Sequence, residues 1–507
     1  MFKGLSRRNL LQGALASAAF IASLSRLQAK ASDIIRIGYD IEPASKTLYP
    51  DRLDWVAAGN MVGMCLEPLV RIAGENKKEA VIAKKIYGDD TGMVWYIEIN
   101  QGIPWQGSDR HDVLTERQVI ANLQHWIDDR DSKQLGAGFR AYVSNISLES
   151  IPDGFGERIR IDLKSPNFQF FYEFTSYAAL IMHPDDNWIF TKESRSTGPF
   201  RMMSYIDKKE ARYEPVVGYW DQGKRALYPV TFVQDTGAVD QNIDFIPQFS
   251  PERGPQLKAS GNLVKQNLLA DTLVFHMDCR AEILKDPATR QALRACLDGQ
   301  GIVESIGGYG HVADHTHANP IHEDYPVDRP SAAVFDPEKA RTLLKGKSLM
   351  LPIYYPGENI WQKTAVEAYV QQAKLAGITL VPTPKSDFSD NWDQYHGGLS
   401  AEKWNHRPLA MQLYREVYTS KADWNLSGWS NPEFDRLVEQ LYATPLTNRL
   451  AISKLMARAM EILQQNGPMV QAAWLDCNKA YNPNRLTASS VEVGSMGFIY
   501  ANKLKKA

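Results

Sequence analysis

The sequence predicts a mixed α/β fold with two or three domains. Residues 32–507 number 476, which at about 150 residues per domain allows two or three separate cores. Strand-like and helical segments alternate through most of this length. No stretch after residue 31 approaches the about 18 apolar residues that a membrane-spanning helix needs. These three observations indicate a globular α/β chain.

The first 31 residues have the pattern of a twin-arginine export signal. Arg7 and Arg8 precede the mostly apolar run Leu10–Leu24, and Ala29–Ala31 offers small residues at a cleavage site. A membrane anchor is the alternative, but polar residues interrupt the apolar run. No cysteine lies near the cleavage site, which argues against a lipid anchor. We therefore expect residues 1–31 to be removed and a soluble protein starting at Ser32 to reside in the periplasm.

The amino-terminal half of the remaining chain contains recognisable strands and a helix. Ile34–Ile37 predicts a short apolar strand, Trp55–Leu66 a helix and Met93–Ile99 a second strand. In Ile159–Leu163 apolar residues alternate with polar ones, as in a half-buried strand.

Capping residues followed by proline mark helix starts in the carboxy-terminal half. A side chain that caps the first turn, followed by a proline at the first helical position, predicts where a helix begins. The three such dipeptides are Asp286-Pro287, Asp336-Pro337 and Asn431-Pro432. The segment Thr364–Lys374 predicts a further helix, and Gly377 separates it from a strand at Ile378–Val381.

Charge and cysteine usage narrow the possible partners. The signal carries five of the 57 basic residues and none of the 59 acidic ones, so the rest has 52 basic residues and a net charge of −7. This argues against nucleic acid as a partner. The four cysteines are far apart, which excludes a CxxC motif but leaves both a disulfide and free buried thiols open. They are Cys65, Cys279, Cys296 and Cys477.

The sequence offers little evidence of catalysis. No GxSxG elbow, HExxH zinc helix or phosphate-binding loop is present. Gly308–Ala313 formally fits a dinucleotide fingerprint, but it follows a helix and lacks the strand that the phosphate turn needs. We predict neither a cofactor nor a catalytic residue. An enzyme stays the second class of function, because the twin-arginine route often exports cofactor-loaded proteins.

Four of the ten histidines fall within 12 residues. They are His311, His315, His317 and His322. Imidazole is a good ligand for zinc, nickel or copper, yet no cysteine and no regular helical spacing accompanies these residues. We expect an exposed loop here rather than a metal site, with metal binding as the alternative.

Several landmarks, read in chain order, resemble one protein family. They are Leu66–Val70, Trp95–Ile99 with Trp105, Ser196–Phe200, Gly218–Trp220, Asp286–Val303, Phe335–Ala340 and Trp429–Leu437. Their order and spacing are similar to those of the family 5 extracellular solute-binding proteins, which are oligopeptide, dipeptide and nickel receptors of ABC importers. The resemblance covers nearly the whole chain after the signal.

The resemblance implies the two-lobed periplasmic binding protein fold, of type II and with an extra domain, in which a ligand binds in a cleft between lobes. Lobe I would comprise residues 33–70, 165–268 and 468–507, with the extra domain at 71–164. Lobe II would comprise residues 269–467. The implied function is capture of a peptide or peptide-like solute by a monomer and its delivery to a membrane permease. A nickel or metal-chelate receptor of the same fold is the alternative.

One loop departs from what the resemblance implies for a peptide receptor. In peptide-binding relatives a carboxylate in this loop receives the α-amine of the peptide, since a buried ammonium needs an opposite charge. The matching loop is Ser400–Leu409, where His406 and Arg407 replace the expected acid. Glu402 offers a carboxylate if the alignment shifts. Because a guanidinium binds carboxylate or phosphate bidentately, we predict an anionic or amine-blocked ligand.

The predicted ligand residues include a stacking surface as well as the charged group. They are Trp404, Asn405, His406 and Arg407, together with Trp105 and Tyr39 from segments that border the cleft in relatives. The alternative for two of them is purely structural: Arg407 pairs with an acidic neighbour, and Trp404 packs in the core.

Overall fold

The computed structural model describes residues 33–53, 56–107, 112–132, 134–152, 154–238, 242–494 and 497–507. The predicted signal peptide and Trp55 lie outside these described residues. Within them, no helix has both the length and the apolar character required to cross a membrane.

The strands, numbered in chain order, extend from the first described residues nearly to the carboxyl terminus. They are β1 Ile35–Tyr39, β2 Val70–Ile72, β3 Lys78–Ala80, β4 Ala83–Gly88, β5 Val94–Ile99, β6 Val143–Ser150, β7 Glu157–Leu163, β8 Phe200–Ile206, β9 Glu210–Pro215, β10 Val230–Gln234, β11 Phe245–Ile246, β12 Leu263–Met277, β13 Gly310–His311, β14 Leu349–Pro356, β15 Ile378–Lys385, β16 Leu399–Trp404 and β17 Met469–Tyr481.

The helices lie between these strands and concentrate in the second half of the chain. They are α1 Ala44–Thr47, α2 Val56–Val62, α3 Glu116–Asp128, α4 Gln134–Tyr142, α5 Gly254–Ala259, α6 Glu282–Lys285, α7 Pro287–Ala295, α8 Gly299–Ser305, α9 Pro337–Leu344, α10 Ile360–Leu375, α11 Phe388–Asn391, α12 Ala410–Leu413, α13 Pro432–Tyr442 and α14 Arg449–Asn466. A π-helical turn at Tyr414–Tyr418 continues α12.

Two long antiparallel strands join the two ends of the largest sheet. Its strand order is β15-β14-β16-β12-β17-β11-β1-β10-β9-β8, with β13 also beside β17. At one end of this pair, β12 carries β16 on its other edge, and at the other end β17 carries β11. The β12–β17 ladder is irregular between Asn267 and Asp271. The sheet therefore has two differently built ends that share β12 and β17.

A separate antiparallel sheet belongs to residues before 165. Its order is β4-β5-β7-β6, and the burial of β7 alternates as the sequence predicts. Apolar side chains of this sheet pack with those of α3 and with Phe170 and Phe174 in one core. This unit lies within the range that the sequence assigns to the extra domain.

Local capping explains where several helices begin. Thr115 accepts a hydrogen bond from the backbone of Gln118, whose side chain in turn accepts from the backbone N–H of Thr115, which is a capping box for α3. The side chains of Asp286, Asp336 and Asn431 cap α7, α9 and α13, and each helix has proline at its first position. The three helix starts predicted from sequence are confirmed.

Two predicted helices have different bounds in the structure. The helix expected at Trp55–Leu66 is described as Val56–Val62, and the following residues through Leu66 continue as hydrogen-bonded turns. The helix expected from Thr364 begins four residues earlier, since Asn359 caps the backbone N–H of Gln362. This helix ends before Gly377, whose φ of +75° lies in the left-handed region that favours glycine.

Two buried arginines hold the end of α14 and the start of β17. Arg290 donates to the carbonyl of Asn466 at 2.9 Å, and Arg294 donates to the carbonyls of Gly467 at 2.7 Å and Gln465 at 2.9 Å. The last carbonyls of a helix have no partner within the helix, so these guanidinium groups satisfy them. Burial lowers the pKa of Arg294 to about 9.

All four cysteines are free thiols. Of the two possibilities that the sequence leaves open, the structure has the unpaired thiols. Three of them are buried, and Cys279 is partly exposed.

Replacing Arg294 with methionine is expected to destabilise the protein by about 3 kcal/mol, because buried carbonyls lose a charged donor. Urea denaturation at pH 7 measures this change. The control is Arg436→Met, which alters an exposed arginine of α13 and should change stability by less than about 0.5 kcal/mol. Equal effects of the two substitutions would contradict the role assigned to Arg294.

Candidate functional site

The candidate site surrounds the end of β16, next to the irregular part of β12. Thr272 of β12 pairs with Trp404, the last residue of β16, and also with Trp474 of β17. The chain then leaves the sheet as Asn405–Arg407. The predicted ligand loop therefore lies beside the two strands that both ends of the sheet share.

Trp404 is held in the interior by a histidine. Its side chain Nε1–H donates to Nε2 of His276 at 2.9 Å, and its ring packs against Trp424 with 5.5 Å between ring centroids. Only 7% of Trp404 is exposed. Because Nε2 of His276 accepts this bond, its proton resides on Nδ1. Burial lowers the pKa of His276 to about 3, so this imidazole is neutral at pH 7.

Glu402 is a buried, neutral carboxyl group beneath these rings. It lies two residues before Trp404 on the same face of β16 and bonds to the hydroxyl of Ser400. Burial raises the pKa of Glu402 to about 8, since desolvation disfavours the charged form. Its Oε2 lies 3.7 Å from Nε2 of His276 and has no hydrogen-bond partner among the described residues.

His406 makes three hydrogen bonds, and the two that involve its ring nitrogens fix its tautomer. Its backbone N–H donates to Oδ1 of Asp271 at 2.8 Å, and its Nδ1 accepts from the backbone N–H of Ala270 at 3.2 Å. The proton therefore lies on Nε2, which is 3.2 Å from Oδ1 of Asn76. Burial lowers the pKa of His406 to about 3. His406 is thus a neutral buried ring rather than a cationic ligand group.

The expectation of an exposed histidine loop is wrong for three of the four residues. His315, His317 and His322 are each at most 3% exposed, whereas His311 is exposed and lies 3.1 Å from Asp476. The three buried histidines point inward because the interior offers them polar partners.

Each of the three buried rings has a hydrogen bond at its Nδ1. In His315 the donor is the backbone N–H of Gln471, at 3.0 Å, and in His322 it is that of Asn319, also at 3.0 Å. In His317, Nδ1 bonds to the hydroxyl of Tyr418 at 2.7 Å. Burial lowers the pKa of His315 to about 3. It also lowers the pKa values of His317 and His322 well below 6.5. These rings are therefore neutral parts of the interior.

Arg407 has an acidic neighbour. Its Nε lies 3.3 Å from Oε2 of Glu416, and its Nη1 donates to the carbonyl of His406 at 3.4 Å. Arg407 is 8% exposed, and Asn405 beside it is partly exposed. Arg407 thus pairs with an acidic neighbour and Trp404 packs in the interior, as the purely structural alternative expects.

The other two predicted ligand residues lie in the part of the chain before residue 268. Tyr39 ends β1, and its hydroxyl accepts from the side chain of Asn60 at 2.9 Å. Trp105 is 2% exposed, donates to the side chain of Gln118 at 3.1 Å and packs edge-on against His183.

Residues that the sequence did not single out connect the amino-terminal part (residues 33–268) to the middle part (residues 269–467). Asn76 donates to the carbonyl of Ile321 at 2.8 Å, besides its bond to His406. The hydroxyl of Tyr172 donates to Glu323 at 2.6 Å.

A buried ion pair forms a further connection between these two parts. Arg415 bonds to Glu173 at 2.6 Å, and its guanidinium lies over the rings of Tyr442 at 4.8 Å and Tyr142 at 5.5 Å. No local pattern marks these residues, because each depends on a partner more than 100 positions away.

Histidines of the run do not form a close group of metal ligands in the structure. Over the described ranges, one group of three or more potential ligands has its donor atoms within 4.8 Å of one another, and it is Asp51, His125 and Asp129. There, His125 lies 3.2 Å from Asp51, and Arg52 bonds to Asp129 at 2.8 Å. The arginine places a positive charge where a cation would bind.

Comparisons with known proteins agree on one family. A family model described as bacterial extracellular solute-binding proteins, family 5 middle, matches residues 79–430. The periplasmic oligopeptide-binding protein OppA of Haemophilus influenzae is 20% identical over 498 residues, covering 88% of this chain and 89% of that protein. The glutathione-binding protein GsiB of Pectobacterium atrosepticum is 27% identical over 357 residues, covering 62% and 65%.

Solved structures share the fold. The crystal structure of Haemophilus influenzae OppA with the peptide RPPGFSPFR covers 94% of this chain and all of that chain, with a TM-score of 0.76 and 17% identity. NikA of Staphylococcus aureus in complex with Ni(L-His)2 covers 94% and 100%, with a TM-score of 0.75 and 16% identity. The predicted two-lobed α/β fold is confirmed.

Acidification from pH 7 to pH 5 is expected to destabilise the protein steeply. Six histidines are buried and have lowered pKa values, so below about pH 6.5 these side chains bind protons in the unfolded chain more readily than in the folded one. The raised pKa values of Glu402, about 8, and of Asp324, about 6, act in the opposite direction. The histidines outnumber these two carboxyl groups, and each proton of the net difference changes the free energy of unfolding by about 1.4 kcal/mol per pH unit.

Urea denaturation at several pH values measures this slope. His315→Gln should reduce the slope by about one proton, and the matched control His311→Gln, at the exposed histidine, should leave it unchanged. A stability that does not vary between pH 7 and pH 5 would contradict the neutral, buried state of the histidines.

Proposed function

Because the chain belongs to the bacterial extracellular solute-binding proteins of family 5, we propose that it captures a peptide or peptide-like solute and delivers it to the permease of an ABC importer. The match to OppA over most of both chains supports this function most strongly. The proteins that the comparisons name are binding proteins rather than enzymes.

In this proposal the protein is a monomer that binds its ligand between two lobes. Lobe I comprises residues 33–70, 165–268 and 468–507, the extra domain residues 71–164, and lobe II residues 269–467. The lobes move about the crossing strands, where β12 is irregular at Asn267–Asp271 and β17 faces it at Leu475–Cys477. An irregular ladder has fewer hydrogen bonds to distort, which supports these residues as the hinge.

Closure is the step that holds the ligand. A solute that contacts both lobes binds the closed state more tightly than the open one, so it shifts the population toward closure. The contacts Asn76–Ile321, Tyr172–Glu323 and Glu173–Arg415 connect lobe I or its extra domain to lobe II and would add to the stability of the closed state. The permease then distinguishes the closed from the open form.

The ligand that we propose is anionic or has its amine blocked. The proposed ligand residues are Trp404, Asn405, His406 and Arg407 of lobe II, with Trp105 of the extra domain and Tyr39 of lobe I. Three of the hydrogen-bonding groups here are unsuited to a free ammonium, because His406 is a neutral donor at Nε2, Glu402 is protonated at pH 7 and Arg407 is a cation. Glutathione fits the preference for an anion through its two carboxylates, while its α-ammonium stays free, and a relative that is 27% identical is named a glutathione-binding protein.

We also propose that the protein works in the periplasm. The family consists of extracellular proteins. The paired arginines at positions 7 and 8, before an apolar run, support export by the twin-arginine route.

Isothermal titration calorimetry with three matched solutes tests the proposed function and the charge preference. We expect an N-acetylated tripeptide to bind more tightly than trialanine, whose ammonium has no ionised acid to meet. Glutathione keeps a free ammonium but carries a second carboxylate for Arg407, so it should also bind more tightly than trialanine. Arg407→Ala should weaken binding of the anionic solute at least about tenfold, as for loss of a charged hydrogen bond. Arg436→Ala, which removes an exposed arginine of lobe II, is the control.

Three results would count against this proposal. Binding of none of the three solutes would remove the support for a peptide-like ligand. Preferential binding of trialanine, or equal binding by the Arg407→Ala and Arg436→Ala variants, would remove the support for an anionic one.

A metal chelate is the second candidate ligand. The Nε2 atoms of His317 and His322 are buried without a hydrogen-bond partner among the described residues, and imidazole nitrogen binds nickel well. A structural neighbour carries Ni(L-His)2.

Elemental analysis of the purified protein separates the two candidates. The peptide proposal predicts less than about 0.1 equivalent of nickel, since the histidine donors here are not grouped as a metal site requires. Nickel near one equivalent that a chelator removes, and that His322→Gln abolishes but the control His311→Gln retains, would favour the chelate receptor.

A further inference from the structure

Resting on the proposed function, we infer that His322 and His406 make the closed cleft sensitive to protons, so that acid opens the lobes and releases the ligand. This proton sensitivity would regulate the ligand site. It arises from the hydrogen bonds of the two rings and from the contact between Asn76 and His406.

The hydrogen bonds of His406 require its neutral form. Its Nδ1 accepts from the backbone N–H of Ala270, and a backbone N–H can act only as a donor. Its Nε2–H donates to Oδ1 of Asn76, whose Nδ2 donates to the carbonyl of Ile321. An imidazolium ion has no lone pair, so protonation of Nδ1 must break the bond to Ala270.

His322 carries the same constraint. Its Nδ1 accepts from the backbone N–H of Asn319 at 3.0 Å. Its ring lies nearly parallel to that of His406, with 5.6 Å between centroids and 22° between planes. Protonation of both rings would therefore place two positive charges next to each other in a buried site, which is unfavourable.

The neighbouring carboxylates are already engaged. Asp271 pairs with Lys403 at 2.9 Å and accepts from the backbone of His406. Glu416 pairs with Arg407, and Glu323 accepts from the hydroxyl of Tyr172. Asp324 accepts from the backbone N–H groups of Ala410 and Met411. The titratable and charged groups that surround the two rings are His317, Asp271, Lys403, Arg407, Glu416, Glu323, Asp324 and Lys78. Burial and the charge of Arg407 lower the pKa of His406, and burial lowers that of His322.

The contact with Asn76 connects ring protonation to lobe closure. Asn76 lies in the turn between β2 and β3, with a φ of +55°, and reaches from the extra domain to His406 of lobe II. When the lobes separate, this contact breaks and water reaches both rings, whose pKa values then return toward about 6.5. The open state thus binds protons that the closed state excludes.

The direction of the effect follows from this difference. Closure is favoured above about pH 6.5 and weakens as the pH falls, by up to tenfold per pH unit for each ring and about 100-fold for both. His276 bonds to Trp404 of the middle part, and His315 bonds to Gln471 of β17, which pairs with Val274 on the same side of the proposed hinge, so lobe opening does not uncover them. They affect global unfolding instead.

Small-angle X-ray scattering of the ligand-free protein between pH 7.5 and pH 5.5 tests the inference, with far-UV circular dichroism on the same samples. We expect the closed fraction of the ligand-free protein to be larger, and its mean dimensions smaller, at pH 7.5 than at pH 5.5, with unchanged secondary structure. The logarithm of the open-to-closed ratio should change with a slope of about two against pH in the original protein. It should change with a slope of about one in His406→Gln and near zero in the double variant with His322→Gln.

Two further variants complete the experiment. Asn76→Ala should be expanded at both pH values, because it removes the contact between lobes without removing a titrating group. The control His311→Gln, at the exposed histidine, should behave as the original protein. If the double variant does not fold, His406→Gln and Asn76→Ala still decide the outcome.

The inference is overturned if the protein has the same dimensions at both pH values, if expansion accompanies loss of secondary structure, or if His406→Gln keeps a slope of two. These outcomes are distinct from failure of the proposed function. Absence of peptide binding with an intact scattering transition would remove the function alone. Glutathione binding of equal affinity at pH 7.5 and pH 5.5 would remove the proton sensitivity alone.

Discussion

The pairing of β12 with β17 is the constraint on which the rest of the structure depends. These two strands are the members that both ends of the largest sheet share, and their ladder is irregular where one end gives way to the other. The candidate ligand loop leaves β16 beside this point, where its His406 bonds to β12, and His315 of the loop after β13 bonds to β17. The candidate site and the proposed hinge therefore occupy the same short stretch of backbone.

Several buried polar groups around β12 and β16 are uncharged at neutral pH. Glu402 is protonated because it is buried, and the imidazoles of His276, His315 and His406 are neutral because each is buried and accepts a hydrogen bond that only the neutral ring can accept. Neutral groups of this kind give directional hydrogen bonds without the desolvation penalty of a buried ion. The interior thereby keeps a single arrangement at neutral pH while remaining responsive to acid.

Local features were predictable from sequence, and long-range ones were not. The proline and capping pairs at Asp286, Asp336 and Asn431 gave correct helix starts, since a cap involves residues two or three positions apart. The family and its fold were recognisable from the order of many weak motifs. The burial of His315 was not predictable, because its partner Gln471 lies 156 positions away. The contact between Asn76 and His406 was not predictable either, because no local pattern marks Asn76 and the two residues come together only in the folded chain.

The irregularity in β12 leaves the backbone N–H of Ala270 without a partner in the ladder, and the ring of His406 takes that N–H. A side chain thus completes the strand at the place where the strand bends. Bending β12 there moves the donor away from the ring, and charging the ring repels the donor. Bending of β12 and proton uptake by His406 consequently act on the same hydrogen bond. The hydrogen-exchange rate of the Ala270 amide should therefore report the conformation of the proposed hinge.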